Sequence, residues 1–408
     1  MLRSLAESLN RHELWIVALL TAAAMLETRL LFAACLVAAL FWPLRKLATG
    51  AWSRRTPADL PVALLLVGAG ISLLVTALPE ITIPQVLRLL NGIALFYAIV
   101  NWSRTGDRMQ ALAAAAVLLG IALGAAAFFT VDWIDDKFAF IPSAIYNRIP
   151  NLASDAVHPN VLGGALLLFA PLSAAIFLWG DPERRWMRWL GGLALAWMAG
   201  VMVLSQSRGA LLGLSAAVLA LVVLRWRWGW LILLAAGLGA GWLVSEVGSH
   251  SVADLLFGSG VFGGFRGRVE IWGRGIFMLQ DFPFTGIGMG LFPVVVERIY
   301  PFFSPSDVAV LHAHNLFVQV GVDLGLPGLV AWLAVFLLVA WSGGRLYRGG
   351  GRYAGIGAGI LAVQLALAVH GLFDAVTWGQ VRSAPLVWVV WGFAFSLWTL
   401  HEKKHVEK

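Results

Sequence analysis

The sequence predicts an all-α integral membrane protein with about twelve transmembrane helices. The chain has 408 residues, of which 60% are hydrophobic and only 12% are charged. Many apolar runs approach about 18 residues or more, the length that a helix needs to cross a bilayer. The 20 Trp and 44 Gly residues fit interfacial aromatic belts and close helix packing. This composition excludes a soluble globular domain of the same size.

The apolar runs give the order of the predicted spans. They lie at 13–27, 29–44, 60–78, 83–102, 108–130, 160–179, 187–205, 209–225, 228–246, 315–342, 353–374 and 383–400. The first two are short, so they are either a re-entrant or a strongly tilted pair. We expect one polytopic domain over 1–408, with outer segments at 131–159 and 247–314. The larger segment contains a predicted helix at Val269–Gln280 and packs back onto the membrane domain.

The basic residues predict the orientation of the chain. Most Lys and Arg residues fall in short loops and termini on one side, which the positive-inside rule makes cytoplasmic. Both termini are then cytoplasmic, and the two long segments face outward. Because the net charge of +7 is scattered over short loops, the expected partner is anionic membrane lipid and not nucleic acid. A single cysteine, Cys35, excludes an intramolecular disulfide.

Arginines on the outer side are candidates for binding an anionic substrate. Arg208 lies in a turn between two spans that is too short to be a charged loop, and Arg268 begins the predicted loop helix. Two guanidinium groups facing one cavity suit a phosphate or diphosphate, because their planar fork binds oxyanions bidentately. Arg88, one to two turns inside the fourth span, is a third candidate. A salt bridge or helix packing explains Arg88 equally well.

A histidine pair precedes the tenth span, in the run His312-Ala313-His314-Asn315. An imidazole at the mouth of a membrane helix is suited to moving protons, so we predict that His314 is a catalytic base with a pKa near the ordinary 6.5. His312 is two positions away and would face elsewhere on a helix. We therefore expect it to be a neighbour of His314 and not its partner.

Besides His312, four further residues are predicted to support this site. They are Asn315, Asp374, Arg382 and His158. Asp374 would either orient an imidazole or pair with Arg382. The glycine-rich run 258–264 is not followed by Gly-Lys-Ser/Thr, so it is no P-loop. We see no carboxylate or His-Glu-x-x-His pattern for a metal, and we predict chemistry without metal or cofactor.

At these residues the chain resembles the O-antigen ligase and polymerase superfamily, and the ligases most closely. His314-Asn315-x9-Gly325-x-x-Gly328 is similar to the ligase signature. Supporting elements are Ser207-Arg208-Gly209-Ala210, Arg268-x-x-x-Trp272, Pro283-x-x-Gly286-x-Gly288 and His158-Pro159-Asn160. One departure is Asp323, where the family often has Glu. The resemblance covers roughly residues 155–375 and implies a GT-C-like fold.

The resemblance implies a glycosyltransferase of the bacterial inner membrane with its site facing the periplasm. The donor would be an undecaprenyl-diphosphate-linked glycan, and the acceptor would be lipid A–core. His314 would be the general base, Arg208 and Arg268 would hold the diphosphate, and displacement would be direct and inverting. The first alternative is a repeat-unit polymerase, whose acceptor is a growing glycan. The second is a solute transporter, which should carry its ionisable residues near the bilayer midplane.

Overall fold

The computed structural model describes residues 2–103, 105–133, 138, 140–149, 156–180, 185–249, 251–252, 265–303 and 310–406. Within these residues every regular element is a helix, apart from one isolated bridge between Val131 and Val157. The predicted all-α fold is confirmed. Parts of both outer segments, including the glycine-rich run 258–264, lie outside the described residues.

Sixteen α-helices lie in the described part of the chain. They are α1 (Leu2–Leu26), α2 (Leu31–Thr49), α3 (Asp59–Val75), α4 (Pro79–Trp102), α5 (Gly106–Thr130), α6 (Ser143–Tyr146), α7 (Pro159–Leu166), α8 (Ala170–Trp179), α9 (Arg185–Leu204), α10 (Arg208–Arg225), α11 (Gly229–Val247), α12 (Phe265–Asp281), α13 (Phe292–Arg298), α14 (Leu316–Arg348), α15 (Ala354–Gly371) and α16 (Leu386–Val406).

Each of the twelve predicted spans coincides with a helix, and nine helical segments in the described residues are long and apolar enough to cross a membrane. The protein is therefore a multi-pass membrane protein. The three other predicted spans are α1, whose first half is polar, and the shorter apolar helices α3 and α16. The span formed by α7 and α8 is interrupted at 167–169, because Pro171 cannot donate a hydrogen bond to the carbonyl four residues earlier.

The first two helices form a hairpin joined by a short 3-10 turn at Thr28–Leu30. A buried ion pair crosses it, with Nε of Arg45 2.8 Å from Oε2 of Glu13. The predicted span 29–44 ends just before Arg45, but α2 continues to Thr49. The guanidinium therefore lies inside the helix pair.

The fourteenth helix is broken by a segment of the outer loop. Gly325 has φ of 70° and interrupts α14. Leu326 N–H donates to the Pro283 carbonyl (2.7 Å), and the Val322 carbonyl accepts from Ile287 N–H (2.9 Å). In an unbroken helix these two groups would bond to each other. A Cβ on Gly325 would lie 2.7 Å from the Phe284 carbonyl carbon, so glycine is needed for both the backbone conformation and the close approach.

Helices α12 and α13 cover one end of the helix bundle. Helix α12 packs on α14, and apolar residues of α12 and α13 contribute to a second core. Its buried members include Ile271, Met278, Phe292 and Val322. The helix predicted at Val269–Gln280 is confirmed as α12. The described part of the 247–314 segment therefore sits directly on the membrane-spanning helices.

Replacing Gly325 by Ala should lower the thermal unfolding temperature of the purified protein. With φ of 70° and ψ of −178°, Gly325 lies in a backbone region essentially confined to glycine, which costs about 1–3 kcal/mol for a residue with a Cβ. The contact with Phe284 adds to this cost. The control is Gly239→Ala on α11, where a Cβ meets nothing within 4 Å. This variant should be as stable as the wild type or more stable, by up to about 1 kcal/mol. Equal unfolding temperatures for Gly325→Ala and the wild type would contradict the exchanged hydrogen bonds.

Candidate functional site

A left-handed backbone turn at His314 brings two imidazoles together. His314 has φ of 46°, a value that few residues other than glycine adopt. Its N–H donates to Nδ1 of His312 (3.1 Å), and its carbonyl accepts from Nε1 of Trp272 (3.4 Å). The two imidazole centroids are 4.2 Å apart. The prediction that His312 faces elsewhere is wrong, because the chain at 312–314 is not helical.

Asp374 lies opposite the two imidazoles. Its Oδ1 is 3.3 Å from Nε2 of His312 and 3.9 Å from Nδ1 of His314. Its Oδ2 accepts a hydrogen bond from Nδ2 of Asn160 (2.9 Å), and its Oδ1 accepts one from Ala375 N–H (2.8 Å). Of the two roles predicted for Asp374, orienting an imidazole fits these contacts. The carboxylate is buried and ties the start of α7 to the segment after α15.

The surroundings of each titratable group set its charge. Burial alone would raise the pKa of Asp374, but His312, His314, His370 and Arg268 hold it well below its usual range. Burial, followed by the neighbouring His312, lowers the pKa of His314 to about 3. Burial also lowers the pKa of His312. The expectation of an ordinary pKa for His314 is therefore wrong, and at neutral pH both imidazoles are neutral beside an ionised carboxylate.

Hydrogen bonds fix the proton of His312. Its Nδ1 accepts the His314 N–H, so in the neutral ring the proton is on Nε2, which faces Asp374. Both nitrogens of His312 are thus engaged. His314 differs, because its Nδ1 is buried and has no hydrogen-bond partner within the described residues. Its side chain is 27% exposed, so a proton on Nδ1 towards Asp374 leaves Nε2 as a free base.

Arg268 and the start of α10 meet at the same residue, Phe373. The guanidinium of Arg268 donates to the Phe373 carbonyl, and its buried Nε has no partner among the residues that the structure describes. Burial lowers the Arg268 pKa and Asp374 opposes this effect. A Cβ on Gly209 would lie 3.1 Å from Cβ of Phe373. Arg208, the first residue of α10, therefore begins a helix whose positive end faces this site.

Arg88 contacts the turn after α15, and Arg382 lies within that turn. Nη1 of Arg88 donates to Oε1 of Gln85 (3.0 Å) and to the carbonyls of Gly379 (3.4 Å) and Gln380 (3.3 Å). Arg382 is half-buried in the same turn. These contacts fit the packing role that the sequence left open for Arg88. A role in donor binding remains a prediction for Arg88.

The remaining predicted residues act at helix ends. Asn315 caps α14 by accepting from the N–H groups of Phe317 (3.0 Å) and Val318 (3.1 Å). His158 caps α7, its Nδ1 accepting from Asn160 N–H (3.1 Å). His158 is close enough for its charge to lower the His314 pKa. Both residues therefore position the chain around the His–Asp site.

Two contributors to this site were not predicted from the sequence. His370 is buried at the end of α15, its Nε2 has no hydrogen-bond partner in the described part of the chain, and its charge acts on Asp374. The sequence offered one indication of this contact, because His370 precedes Asp374 by four residues and residues at this spacing are neighbours on a helix. Gln319 is buried one turn into α14, and its Oε1 accepts from Ala313 N–H (2.8 Å). Nothing in the sequence pairs this glutamine with the backbone between the two histidines.

The same residues raise the question of a metal site. One ligand atom each from His312, His314 and Asp374 lies within 4.8 Å of the others, a cluster that the sequence pattern did not reveal. A cation at His312 needs a lone pair on Nε2, yet Nδ1 already accepts the His314 N–H. A neutral imidazole cannot offer both lone pairs. The hydrogen-bond pattern therefore does not fit a cation, and it fits proton transfer.

These features define the class: an all-α, multi-pass membrane protein with a His–Asp site beside arginines at helix ends. Residues 161–333 match the family model described as O-Antigen ligase. This segment includes Arg208, Arg268 and His314, and Asp374 lies beyond it. The resemblance found in the motifs is thus confirmed over this segment, which is less than half of the chain.

A curated relative supports the same assignment. The Exopolysaccharide production protein ExoQ of Rhizobium meliloti (strain 1021) is 30% identical over 186 residues. The match covers 43% of this chain and 42% of that protein. The chain therefore matches less than half the length of this relative.

The hydrogen-bond pattern predicts that divalent cations do not bind tightly at this site. EDTA should leave the thermal unfolding temperature unchanged at neutral pH, and added Zn²⁺ should act equally on the wild type and on His312→Ala. A true site would stabilise the folded protein by about 2.7 kcal/mol at a hundredfold excess of Zn²⁺ over its Kd. Stabilisation of this size, lost in His312→Ala, would show that the cluster is a metal site.

Proposed function

We propose that this protein transfers a glycan from an undecaprenyl-diphosphate carrier to an acceptor hydroxyl, without a metal or cofactor. The observation that carries the proposal is the neutral, part-exposed imidazole of His314 between Asp374 and Arg268. Family membership supports glycan transfer of the ligase or polymerase type. The carrier and the acceptor come from the resemblance.

His314 would act as the general base. In the proposed reaction the acceptor oxygen bonds to the anomeric carbon as the bond from that carbon to the diphosphate oxygen breaks. Nε2 of His314 takes the hydroxyl proton, and the electron pair leaves with the diphosphate. Asp374 would stabilise the resulting imidazolium through Nδ1, 3.9 Å away. Direct displacement inverts the configuration and forms no covalent intermediate with the enzyme.

Positive charge near Phe373 would hold the donor. Arg268 has a buried, unpartnered Nε in the described structure, for which a diphosphate oxygen is a fitting acceptor. Arg208 would add positive charge at the start of α10, which approaches Phe373 through Gly209. Because the imidazoles are neutral, the Asp374 carboxylate would then be outnumbered by two guanidinium groups. The net positive charge favours the leaving diphosphate as its negative charge grows.

We also propose that the site faces the periplasm across the inner membrane, with both termini cytoplasmic. The support is the concentration of Lys and Arg in the opposite loops. The His–Asp site lies at helix ends, where an outer-face reaction needs it, and a transporter would carry such groups near the midplane. This position favours an enzyme over a transporter.

Two acceptors are compatible with this chemistry. Lipid A–core as acceptor makes the protein a ligase, which the motif after His314 favours. The name of ExoQ refers to exopolysaccharide production, so a growing glycan as acceptor is the second candidate. Supplying both acceptors to purified protein with one diphosphate-linked donor distinguishes the two by the product formed.

Replacing His314 by Ala should lower glycan transfer by about 10² to 10⁴, the usual contribution of general base catalysis. Binding of the lipid-diphosphate donor should persist, because both arginines remain. His312→Ala should cost less, since neither of its nitrogens is free for the substrate. The exposed His12 provides the control His12→Ala, which should match the wild type. Wild-type turnover by His314→Ala would exclude this mechanism.

The wild-type transfer rate should be nearly independent of pH between about pH 5 and pH 8. Burial lowers the His314 pKa to about 3, so the neutral base is fully present above about pH 5 and is lost only as pH falls towards that pKa. An unperturbed histidine would instead lose half of its neutral form near pH 6.5. The measurement is kcat/KM against pH, which reports the free enzyme. A midpoint near 6.5 would contradict the buried, neutral state.

Replacing Arg268 by Lys should raise the donor KM by about 10- to 10²-fold while the folded protein remains stable. Lysine keeps the charge but cannot donate to the Phe373 carbonyl and to a diphosphate through one planar group, and a charge-assisted hydrogen bond contributes about 1.5–3 kcal/mol. Exposed Arg298 provides the control Arg298→Lys, for which no change is expected. An unchanged donor KM in Arg268→Lys would remove the diphosphate contact from the mechanism.

A further inference from the structure

A chain of hydrogen bonds runs from the two histidines into the helix bundle. It begins at Ala313, whose N–H donates to Oε1 of Gln319 (2.8 Å). Nε2 of the same amide donates to Oδ1 of Asp323 (2.9 Å). Gln319 is 1% exposed and Asp323 is fully buried. The backbone between His312 and His314 is therefore anchored to a carboxylate inside α14.

The same carboxylate also holds the segment that carries Asp374. Oδ2 of Asp323 accepts from Nε1 of Trp378 (2.8 Å), and Oδ1 accepts a longer bond from Gly290 N–H (3.3 Å). Trp378 is four residues beyond Asp374 in the turn after α15. The imidazoles and the carboxylate of the candidate site thus come from different segments, and both segments are fixed to Asp323.

We propose that Gln319 and Asp323 are positioning residues that set the distance between His314 and Asp374. This inference rests on the proposed function. Neither side chain reaches the substrate, because both are buried behind the site. Their effect is on the alignment of the base, and a shift of about 1 Å in a catalytic group can cost about 10²-fold in rate.

The direction of each hydrogen bond makes the proposal testable. Gln319 must accept from Ala313 and donate to Asp323, and Asp323 must accept from both Gln319 and Trp378. In Asp323→Asn the new amide group faces either the Gln319 amide or the Trp378 indole, and two donors then meet. In Gln319→Glu the new carboxylate faces Asp323, and two acceptors meet. Each single substitution therefore breaks the chain although it hardly changes side-chain volume.

The double variant Gln319→Glu/Asp323→Asn restores the chain with its central bond reversed. The new carboxylate at 319 still accepts from Ala313 N–H and now also accepts from the amide at 323. The amide oxygen at 323 accepts from the Trp378 indole. Only the long bond from Gly290 is lost. A side chain needed merely for packing or stability would not show this reciprocal rescue.

The test compares glycan transfer by purified wild type, both single variants and the double variant. The matched control is Gln364→Leu, because Gln364 is 2% exposed and bonds the Phe336 carbonyl (2.9 Å) and the Trp391 indole (3.1 Å) in the same bundle. We expect each single variant to lose about 10²-fold in kcat with the donor KM unchanged, and the double variant to regain most of it. Gln364→Leu should keep the wild-type kcat, although its unfolding temperature should be lower than that of the wild type.

The Gln319→Glu variant has a second readout. The two facing carboxylates at 319 and 323 can form a hydrogen bond only when they share a proton. The activity of Gln319→Glu should therefore rise towards that of the wild type as pH falls and drop again as pH rises. This profile decides the matter even if Asp323→Asn fails to fold. Folded single variants with wild-type kcat, a double variant no better than the singles, or a Gln319→Glu profile parallel to the wild type would each overturn the positioning role. Retained transfer by His314→Ala would instead overturn the proposed function and leave the geometry of the chain intact.

Discussion

A carboxylate without access to water is stable in a helix bundle only if hydrogen-bond donors surround it. Asp323 meets this condition with donors from three separate parts of the chain: Gln319 in α14, Gly290 in the outer loop and Trp378 after α15. If any of these parts moves away, the buried carboxylate loses one of its three donors. The break in α14, the fold of the loop and the turn that carries Asp374 are therefore parts of one hydrogen-bonded unit.

Burial then determines the electrostatics of the site above it. Burial keeps the imidazoles neutral, whereas the positive charge of neighbouring groups such as Arg268 keeps Asp374 ionised against the effect of burial. Arg268 remains the cation of the cluster. Its Nε has no hydrogen-bond partner among the described residues, so it is available to an oxyanion. A base that is never charged in its resting state does not neutralise Asp374 or repel the arginines. The fold thus separates the proposed base from the arginines that are proposed to hold the anion.

Sequence patterns were sufficient for the helices, because apolar length is a property of short segments. Local motifs also singled out His314, Arg208 and Arg268, whose roles stay predictions. They failed where the decisive contact joins distant segments. His312 was misjudged because helical spacing was assumed where the backbone turns left-handed at His314. The ordinary pKa expected for His314 ignored burial, which only the assembled bundle supplies. Gln319 and Trp378 gave no signal, since a buried polar residue in an apolar run reveals its partner only in three dimensions.

The hydrogen bonds exchanged between α14 and residues 283–287 bear on the order of assembly. Before the loop arrives, the Leu326 N–H and the Val322 carbonyl have only each other, and in a lipid environment they must remain paired. Helix α14 would then enter the membrane with this hydrogen bond closed and would be bent only by Pro327. It would open at Gly325 only when Pro283 and Ile287 offer replacement partners. Biogenesis would end with this exchange, and a chain whose loop has not docked would retain the closed hydrogen bond and a disassembled site.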